Sequence, residues 1–244
     1  MRLNKYLAQA GIGSRRACDR FIQEGRVTVN DEIRIQPAYQ VEPADVVAFD
    51  GSPVQSGTRL IYLQLYKPRG TLTTVRDPQG RETVMKYVAD IKERIFPIGR
   101  LDCDSEGLLL FTNDGRITNI LTHPRYEVLK TYRVYASGSL NCQEMRVLTD
   151  GLLKNGRWYQ AHSVKLIEHQ KGFTIAEVVL NEGKKHEVRI LFEGIGHPVL
   201  RLIRTKMGPI TLDENLLPGE WRYLLKDEIE LLFERGGVWN DVGR

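Results

Sequence analysis

A run of turn-forming residues divides this sequence into two blocks with different patterns. The run comprises Asp50, Gly51, Ser52, Pro53 and Gly57. Clusters of this kind mark loops between folded segments. A length of 244 residues is compatible with one large domain or with a small domain followed by a medium one. The position of the run favours the second arrangement, with one domain in residues 1–58 and another in residues 59–244.

The first block has the pattern of a compact ααββ unit. Leu3, Leu7 and Ala10 recur at helical spacing, and Ser14 is a suitable cap for a second helix. Residues 27–35 then alternate apolar and polar side chains around an Asn-Asp turn, which predicts a short hairpin. We therefore expect two helices followed by two strands.

Basic side chains are concentrated in the two predicted helices and at their ends. A surface of this kind suits the phosphates of a nucleic acid. A solvated basic face, offset by Asp19 and Glu24, is the alternative that charge alone leaves open. The candidate RNA-binding residues of this block are Arg2, Lys5, Arg15, Arg16, Arg20 and Arg26.

The second block mixes strand and helix patterns without a regular alternation. Residues 60–65 and 173–180 are strand-like, and residues 188–195 have helical spacing. A repeated strand–helix–strand order would predict a parallel α/β sheet, and this block has no such rhythm. We therefore predict an α+β domain.

Composition argues against several classes of protein. The net charge of +4 at pH 7 is only mildly basic, so a polyanionic partner requires the positive charges to cluster. Cys18, Cys103 and Cys142 are far apart and lack CxxC spacing, which argues against a disulfide framework and a zinc site. The sequence has no apolar run near the roughly 20 residues of a membrane span and no signal-peptide pattern. We expect a cytoplasmic protein without membrane contact.

A loop rich in acidic residues is the first candidate for chemistry. It spans residues 99–107, with the sequence GRLDCDSEG, and an apolar segment follows it. A calcium loop would begin with Asp102, Asp104 and Gly107, but Asn113 stands where that loop requires Glu. A glycosidase-like carboxylate pair and a polar turn whose carboxylates cap backbone amides both remain open.

Two further segments carry side chains that suit RNA. In the strand-like run KTYRVY, Tyr132 lies on the same face as Lys130, where its ring is available to stack on a base or to pack against a sheet. Residues 182–192 lead from a glycine turn into a helical pattern that presents Arg189 beside an apolar stripe. His186 has no His or Cys partner at ligand spacing, so we expect no metal.

Together these segments resemble the RsuA-type family of bacterial ribosomal RNA pseudouridine synthases. The first block, with RLNKYLA, SRR and GRV, is similar to the alpha-L RNA-binding domain of ribosomal small-subunit protein four. The second block contains KPRG, GRLD, TNDG, KTY and HEVR in the family's order, and the later segments LIR to MG and PGEW also match. The resemblance covers nearly the whole chain. It implies a catalytic domain built on a mixed, largely antiparallel sheet with flanking helices.

The resemblance also implies roles for individual residues. The family's nucleophile corresponds to Asp102, the tyrosine that stacks on the target base corresponds to Tyr132, and the basic residue that pairs with the catalytic Asp corresponds to Arg189. Glu187 stands where the family usually has Gln. Basic residues within or beside the motifs are added as RNA-binding candidates, namely Lys67, Arg100, Lys130, Lys184 and Lys185.

The implied reaction breaks the N1 glycosidic bond of a uridine, turns the uracil and joins C5 to the same ribose. It involves no net redox change, so we expect no cofactor. An adjacent guanidinium lowers the pKa of a carboxylate, and we therefore expect Arg189 to keep Asp102 ionised. Arg100 is expected to fill the space that the extruded base leaves.

The expected partner is ribosomal RNA, free or in an assembly intermediate, with the large subunit favoured over the small one. We expect the protein to act as a monomer. A non-enzymatic RNA-binding or ribosome-assembly factor on the same scaffold is the alternative from another functional class.

Overall fold

The computed structural model describes residues 1–55, 57 and 59–234. The chain divides into two compact units. The first consists of Met1–Ile61 with the short segment Ile91–Ile95, and the second consists of Tyr62–Asp90 with the chain from Phe96 onwards. None of the described helices is long and apolar enough to cross a membrane.

The first unit contains two helices and a four-stranded antiparallel sheet. The helices are α1 (Leu3–Gln9) and α2 (Arg15–Gln23), and the strands are β1 (Val27–Val29), β2 (Glu32–Ile33), β3 (Val47–Phe49) and β4 (Ser52–Val54). The strand order is β2-β1-β3-β4. The predicted order of two helices followed by a hairpin is confirmed, and β3 and β4 extend the sheet beyond it.

The turn-forming run at residues 50–57 begins as a hairpin, which corrects its interpretation as a loop throughout. Asp50 and Gly51 connect β3 to β4, and their φ angles are 47° and 77°. A two-residue connection with positive φ at both positions matches the twist of paired strands. Pro53 lies in β4 at the edge of the sheet, where its missing N–H removes no bond from a neighbouring strand.

The core of the first unit follows from the apolar periodicity of its elements. Leu3 and Leu7 of α1 lie one helical turn apart, and Val27 and Val29 alternate along β1. Ser14 accepts a hydrogen bond from the backbone N–H of Ala17 at 3.1 Å and so caps α2 as predicted. The buried cluster consists of Leu3, Leu7, Cys18, Ile22, Val27, Val29, Val41 and Val47.

The second unit contains eleven described strands and four described α-helices. The strands are β5 (Tyr62–Lys67), β6 (Phe96–Ile98), β7 (Glu106–Thr112), β8 (Lys130–Ser137), β9 (Leu152–Lys154), β10 (Arg157–Tyr159), β11 (Ser163–Gln170), β12 (Phe173–Leu180), β13 (Val199–Met207), β14 (Ile210–Thr211) and β15 (Trp221–Tyr223). The helices are α3 (Gly115–Thr122), α4 (Cys142–Asp150), α5 (Glu187–Gly194) and α6 (Lys226–Phe233). Two 3₁₀ helices, Val84–Val88 and Pro124–Tyr126, lie between them.

One large sheet organises this second unit. Its main path is β11-β12-β8-β13-β7-β5-β15, with β14 paired to β13 and β6 paired to β7. The pair β13–β7 is parallel, and the other described pairs of the sheet are antiparallel. The predicted α+β class, with a mixed and largely antiparallel sheet, is confirmed.

Strand β7 lies near the middle of the sheet, and every one of its residues is buried. Leu108 and Leu110 project from one of its faces and belong to a buried cluster with Ile117 and Leu121 of α3 and Leu232 of α6. Strands buried on both faces have continuous apolar sequences of this kind. The acidic loop that precedes β7 is therefore attached to one of the most buried strands of the unit.

Gly107 allows β7 and β13 to approach closely. Its φ is +100°, and a Cβ at this position would lie 2.3 Å from the backbone oxygen of Arg204 and 2.8 Å from the backbone nitrogen of Arg204. Only a residue without a Cβ fits this contact without a shift of backbone. The parallel pairing of Arg204 with Gly107 thus depends on the last residue of the GRLDCDSEG motif.

Candidate active site

A cavity of about 480 Å³ opens beside the acidic loop of the second unit. Asp102 and Tyr132, which the sequence places thirty positions apart, both line it. The lining also includes residues of β13 and of the segment that precedes α5. Four of the basic residues predicted to bind RNA, Arg100, Lys130, Lys184 and Lys185, lie in this lining as well.

The loop that carries Asp102 is held by hydrogen bonds to its backbone. Thr73 Oγ1 donates to the carbonyl oxygen of Leu101 at 2.8 Å and lies 3.3 Å from the Leu101 nitrogen. The backbone N–H of Ser105 donates to the carbonyl oxygen of Asp102 at 3.1 Å. These bonds close the turn around Asp102 and leave its carboxylate partly exposed in the cavity. His186 Nε2 lies 3.5 Å from Asp102 Oδ1.

Lys67 is fully buried beneath the same loop. Its ammonium group donates to three backbone carbonyl oxygens, those of Pro68 at 3.0 Å, Cys103 at 3.4 Å and Ser105 at 2.9 Å. Burial lowers the pKa of this lysine to about 8. The prediction that Lys67 binds RNA is therefore corrected, because a side chain without exposed surface does not reach a phosphate.

Arg189 does not pair with Asp102. Its guanidinium group lies 2.8 Å from Asp104 Oδ2 and donates to the carbonyl oxygens of Asp104 at 3.3 Å and Val199 at 3.2 Å. The predicted Arg189–Asp102 ion pair is thus replaced by a contact with the carboxylate two residues further along the loop. The physical reason lies in the turn of residues 102–105, which presents Asp104 to α5 and Asp102 to the cavity.

Arg204 is a cationic residue that the sequence motifs did not identify as part of the site. It lies in β13 directly opposite Tyr132 of β8, and both side chains line the cavity. Only 2% of Arg204 is exposed, and its Nε donates to the carbonyl oxygen of Leu108 at 2.8 Å. Burial lowers the pKa of Arg204 and raises that of Tyr132, and the two groups oppose each other's shift. The sequence signal was limited to a basic residue in the LIR segment of an apolar strand.

Glu187 is a buried carboxyl group at the start of α5. One of its oxygens accepts the backbone N–H of Lys184 at 3.0 Å, and the other has no hydrogen-bond partner. Burial, and then the charge of Glu182, raise the pKa of Glu187 to about 7. Lys184 donates to Glu182 and to the carbonyl oxygen of Trp158, so its charge is partly compensated within the protein.

Lys130 is a second cation with reduced exposure. Its ammonium group donates to the carbonyl oxygen of Val128 at 2.7 Å, and burial lowers its pKa to about 8. Arg100 and Lys185 are exposed at the mouth of the same cavity. The cavity thus combines one partly exposed carboxylate, one aromatic ring and several cations.

The predicted RNA-binding residues of the first unit fall into two groups. Arg20 lies 3.5 Å from Glu24, and Arg26 pairs with Asp50 at 2.5 Å while its guanidinium lies over the rings of Phe21 and Phe49. Surface pairs of this kind leave less free charge for a phosphate. Within the part of the chain that the structure describes, no ion pair is formed by the remaining four, Arg2, Lys5, Arg15 and Arg16.

The geometry around the acidic loop does not fit the calcium-loop alternative. The described residues contain no group of three or more His, Cys, Asp or Glu side chains arranged to hold a metal ion. The segment after the acidic loop is strand β7, whereas a calcium loop of this type leads into a helix. Asp104 is paired with Arg189 at 2.8 Å.

Comparison with known proteins decides the family. The family model "RNA pseudouridylate synthase" matches residues 61–194, and the model "S4 domain" matches residues 1–47. The chain belongs to the RNA pseudouridine synthase family. The synthase is 38% identical over 240 residues to an uncharacterized RNA pseudouridine synthase of Aquifex aeolicus (strain VF5), covering 98% of this chain and 96% of the relative.

Two further comparisons agree with this result. The synthase is 37% identical over 233 residues to ribosomal large subunit pseudouridine synthase B of Bacillus subtilis (strain 168), with 95% of each chain covered. It is similar to a crystal structure of a pseudouridylate synthase with a TM-score of 0.66 and 28% identity, over 95% of this chain and 99% of that one. The predicted family, the isomerase activity and the N-terminal RNA-binding domain are confirmed.

Replacement of Lys67 by methionine tests its position under the acidic loop that carries Asp102. We expect kcat to fall by about 100-fold, because misplacement of a reacting group by about 1 Å has an effect of that size. RNA affinity and its salt dependence should stay unchanged, since the ammonium group has no contact with solvent. Single-turnover rates and filter binding measure the two quantities. Lys165→Met, at an exposed position in β11, is the control, and a reduced salt slope in Lys67→Met would contradict the buried position.

Replacement of Arg15 and Arg16 together by glutamine tests the basic surface of the S4 domain. Each lost phosphate contact should reduce the slope of log K against log salt by about 0.7 to 0.9, and RNA affinity should fall while kcat is retained. The measurement is RNA binding across a salt series. Arg26→Gln is the matched control, because Asp50 already compensates that charge. Equal slopes for the double variant and the wild type would show that these arginines do not contact RNA.

Proposed function

We propose that this synthase converts a uridine of ribosomal RNA to pseudouridine, with Asp102 as the nucleophile and Tyr132 as the base-stacking residue. The observation that carries the proposal is that Asp102 and Tyr132 line one cavity of about 480 Å³, a volume in the range of small-ligand sites. The name of the Bacillus subtilis relative, which refers to the ribosomal large subunit, favours that subunit as the target.

An ionised carboxylate suits both halves of this reaction. It adds to the ribose C1′ or to the uracil C6, the N1–C1′ bond breaks, and the carboxylate departs again once C5 has taken the place of N1. The proton lost from C5 balances the proton gained by N1, so uridine and pseudouridine are isomers. Asp102 lies in a turn that hydrogen bonds hold at Leu101 and Ser105, which fixes its position before substrate arrives.

Extrusion of the target base costs a few kcal/mol. Stacking on an aromatic ring returns about 1 to 3 kcal/mol per base, so Tyr132 offsets much of that cost. The ring of Tyr132 is buried, and its strand pairs with β13 at Arg204, which fixes the ring beside the cavity. Arg100, two residues before Asp102 and exposed at the cavity mouth, is proposed to fill the space that the base vacates.

Arg189 is proposed as a positioning residue. Because its guanidinium binds both the side chain and the backbone oxygen of Asp104, it fixes the segment that follows Asp102 in the loop. Lys130, Lys184 and Lys185 are proposed to contact phosphates around the flipped nucleotide, since they line the same cavity. The N-terminal domain, proposed to comprise residues 1–58, supplies affinity through Arg2, Lys5, Arg15 and Arg16, with smaller contributions from Arg20 and Arg26.

The synthase is further proposed to act in the cytoplasm, as a monomer, on ribosomal RNA that is free or in an assembly intermediate. The match to an S4 domain together with a pseudouridylate synthase model in one chain supports RNA as the partner. Sedimentation analysis of the purified protein with and without RNA tests the monomer, and a stable dimer would contradict it.

Pseudouridine mapping of ribosomal RNA tests the proposed function directly. Comparison of cells with and without the gene should reveal the loss of a specific large-subunit pseudouridine, restored by the wild-type gene and not by the Asp102→Asn variant. Loss of a small-subunit site would correct the target. A complete set of pseudouridines in the deletion strain, together with a defect in ribosome assembly, would favour the non-enzymatic alternative.

A further inference from the structure

Arg204 is a buried cation with unused hydrogen-bonding capacity. A guanidinium group has five N–H donors. In Arg204, Nε donates to Leu108, whereas Nη2 is buried and has no hydrogen-bond partner. Within the described residues, no carboxylate forms an ion pair with it. Burial of a charge without a partner is unfavourable by several kcal/mol, so packing alone gives no reason for an arginine here.

The Tyr132 hydroxyl interacts with the Arg204 guanidinium, and the cavity can supply acceptors for its remaining N–H groups. Arg204 lines the cavity that Asp102 and Tyr132 also line, so a ligand in that cavity reaches its guanidinium group. Tyr132 is its direct neighbour on the adjacent strand. A base stacked on the ring of Tyr132 therefore presents its edge to Arg204. The edge of uracil carries two acceptors that suit a guanidinium, the carbonyl oxygens O2 and O4.

We propose that Arg204 binds a carbonyl oxygen of the flipped uracil and stabilises the negative charge that develops there during the reaction. This inference rests on the proposed function, because it requires a uracil in the cavity. When the N1–C1′ bond breaks, its electron pair passes to N1 and is delocalised onto O2 and, through C6 and C5, onto O4. Addition of Asp102 at C6 also places the charge on O4. In both routes, negative charge therefore develops on a carbonyl oxygen of the uracil that Arg204 can contact.

The charge is removed again when the new bond forms. The electron pair at C5 makes the C5–C1′ bond, the carbonyl group is restored, and the C5 proton is later transferred to N1. The hydrogen bond from Arg204 is therefore strongest in the charged intermediate and weaker in substrate and product. Interactions with this profile raise kcat more than they lower KM, and hydrogen-bond donors fixed in position before the charge develops make the largest contribution of this kind.

Arg204→Met tests the proposal in the full-length synthase with an RNA fragment that contains the target uridine. We expect kcat to fall by about 10² to 10³-fold, the effect of removing one donor to a developing oxyanion, and RNA affinity to stay within a few fold. Thermal stability should stay the same or rise, because methionine removes an unpaired buried charge. A purely structural arginine would instead lower stability and leave kcat per folded molecule unchanged. Arg133→Met, at an exposed position next to Tyr132 in β8, is the matched control.

Sulfur substitution in the RNA provides the second test. Because sulfur accepts hydrogen bonds weakly, a 2-thiouridine or a 4-thiouridine at the target position should slow the wild-type enzyme at the oxygen that Arg204 contacts. The same substitution should have little further effect on Arg204→Met. Equal thio effects in both enzymes at both positions, or wild-type kcat in Arg204→Met, would overturn the inference. Failure of the wild-type enzyme to form pseudouridine in unmodified ribosomal RNA would overturn the proposed function and this inference with it.

Discussion

Replacement of Asp102 by asparagine is expected to lower pseudouridine formation by about 10⁴-fold or more, the effect of removing a catalytic nucleophile. Asparagine has nearly the same shape, but its amide lacks the negative charge that forms the bond to the nucleotide. RNA affinity should stay within a few fold of the wild type, because the cations that are proposed to contact phosphates are unchanged. The measurement is product formation under single turnover, with filter binding of the same RNA.

Cys103→Ser is the matched control for this variant. Cys103 is exposed in the same loop next to Asp102, and its backbone carbonyl still receives the hydrogen bond from Lys67 after the change. Turnover in the control should therefore equal that of the wild type. Substantial product from Asp102→Asn would remove this residue from its proposed role. If Asp104→Asn lost product and Asp102→Asn did not, the nucleophile would be Asp104, the second carboxylate of the loop.

Replacement of Gly107 by alanine is expected to destabilise the second unit by more than about 4 kcal/mol, the range of severe single substitutions. The added Cβ would lie 2.3 Å from the backbone oxygen of Arg204, and a backbone group at the centre of a sheet does not move aside as a flexible side chain does. The φ of +100° adds strain for any residue with a side chain. Urea unfolding, or solubility if the variant does not fold, measures the effect.

Gly115→Ala is the control for this second prediction. A Cβ at Gly115 meets no atom within 4 Å, and this first residue of helix α3 has no positive φ that would require glycine. This variant should equal the wild type in stability or exceed it slightly. A Gly107→Ala protein within about 1 kcal/mol of the wild type, the size of an ordinary single substitution, would contradict the close approach of β7 and β13.

Local patterns predicted the elements that depend on neighbouring residues in the chain. The cap at Ser14, the alternation in β1 and the strand that contains Tyr132 all follow from spacing over a few positions. The turn formers Asp50 and Gly51 also predicted a turn, but the prediction that they belong to a loop between domains was wrong. The same residue types favour a loop and a tight hairpin, and only pairing between β3 and β4 distinguishes them.

Side-chain partners that lie far apart in the sequence were not predictable in this way. A lysine and two arginines look alike in a motif, yet Lys67 is buried under backbone carbonyls, Arg189 binds Asp104, and Arg204 faces the cavity. The position of Arg204 follows from the register of β13 against β8, and those of Lys67 and Arg189 follow from their contacts with the turn at residues 102–105. The segment Ile91–Ile95 belongs to the first unit although it follows part of the second unit in the chain. Tertiary packing, and not local propensity, determines such an assignment.

The parallel pairing of β7 with β13 has a consequence for the biosynthesis of the enzyme. During translation, Asp102 and Tyr132 leave the ribosome well before Arg204, and contacts between such distant segments form slowly. The cavity is incomplete until β13 joins the sheet between β7 and β8. A nascent chain therefore carries Asp102 without the complete cavity in which this residue is proposed to act, and we expect catalytic competence only when nearly the whole polypeptide has been made.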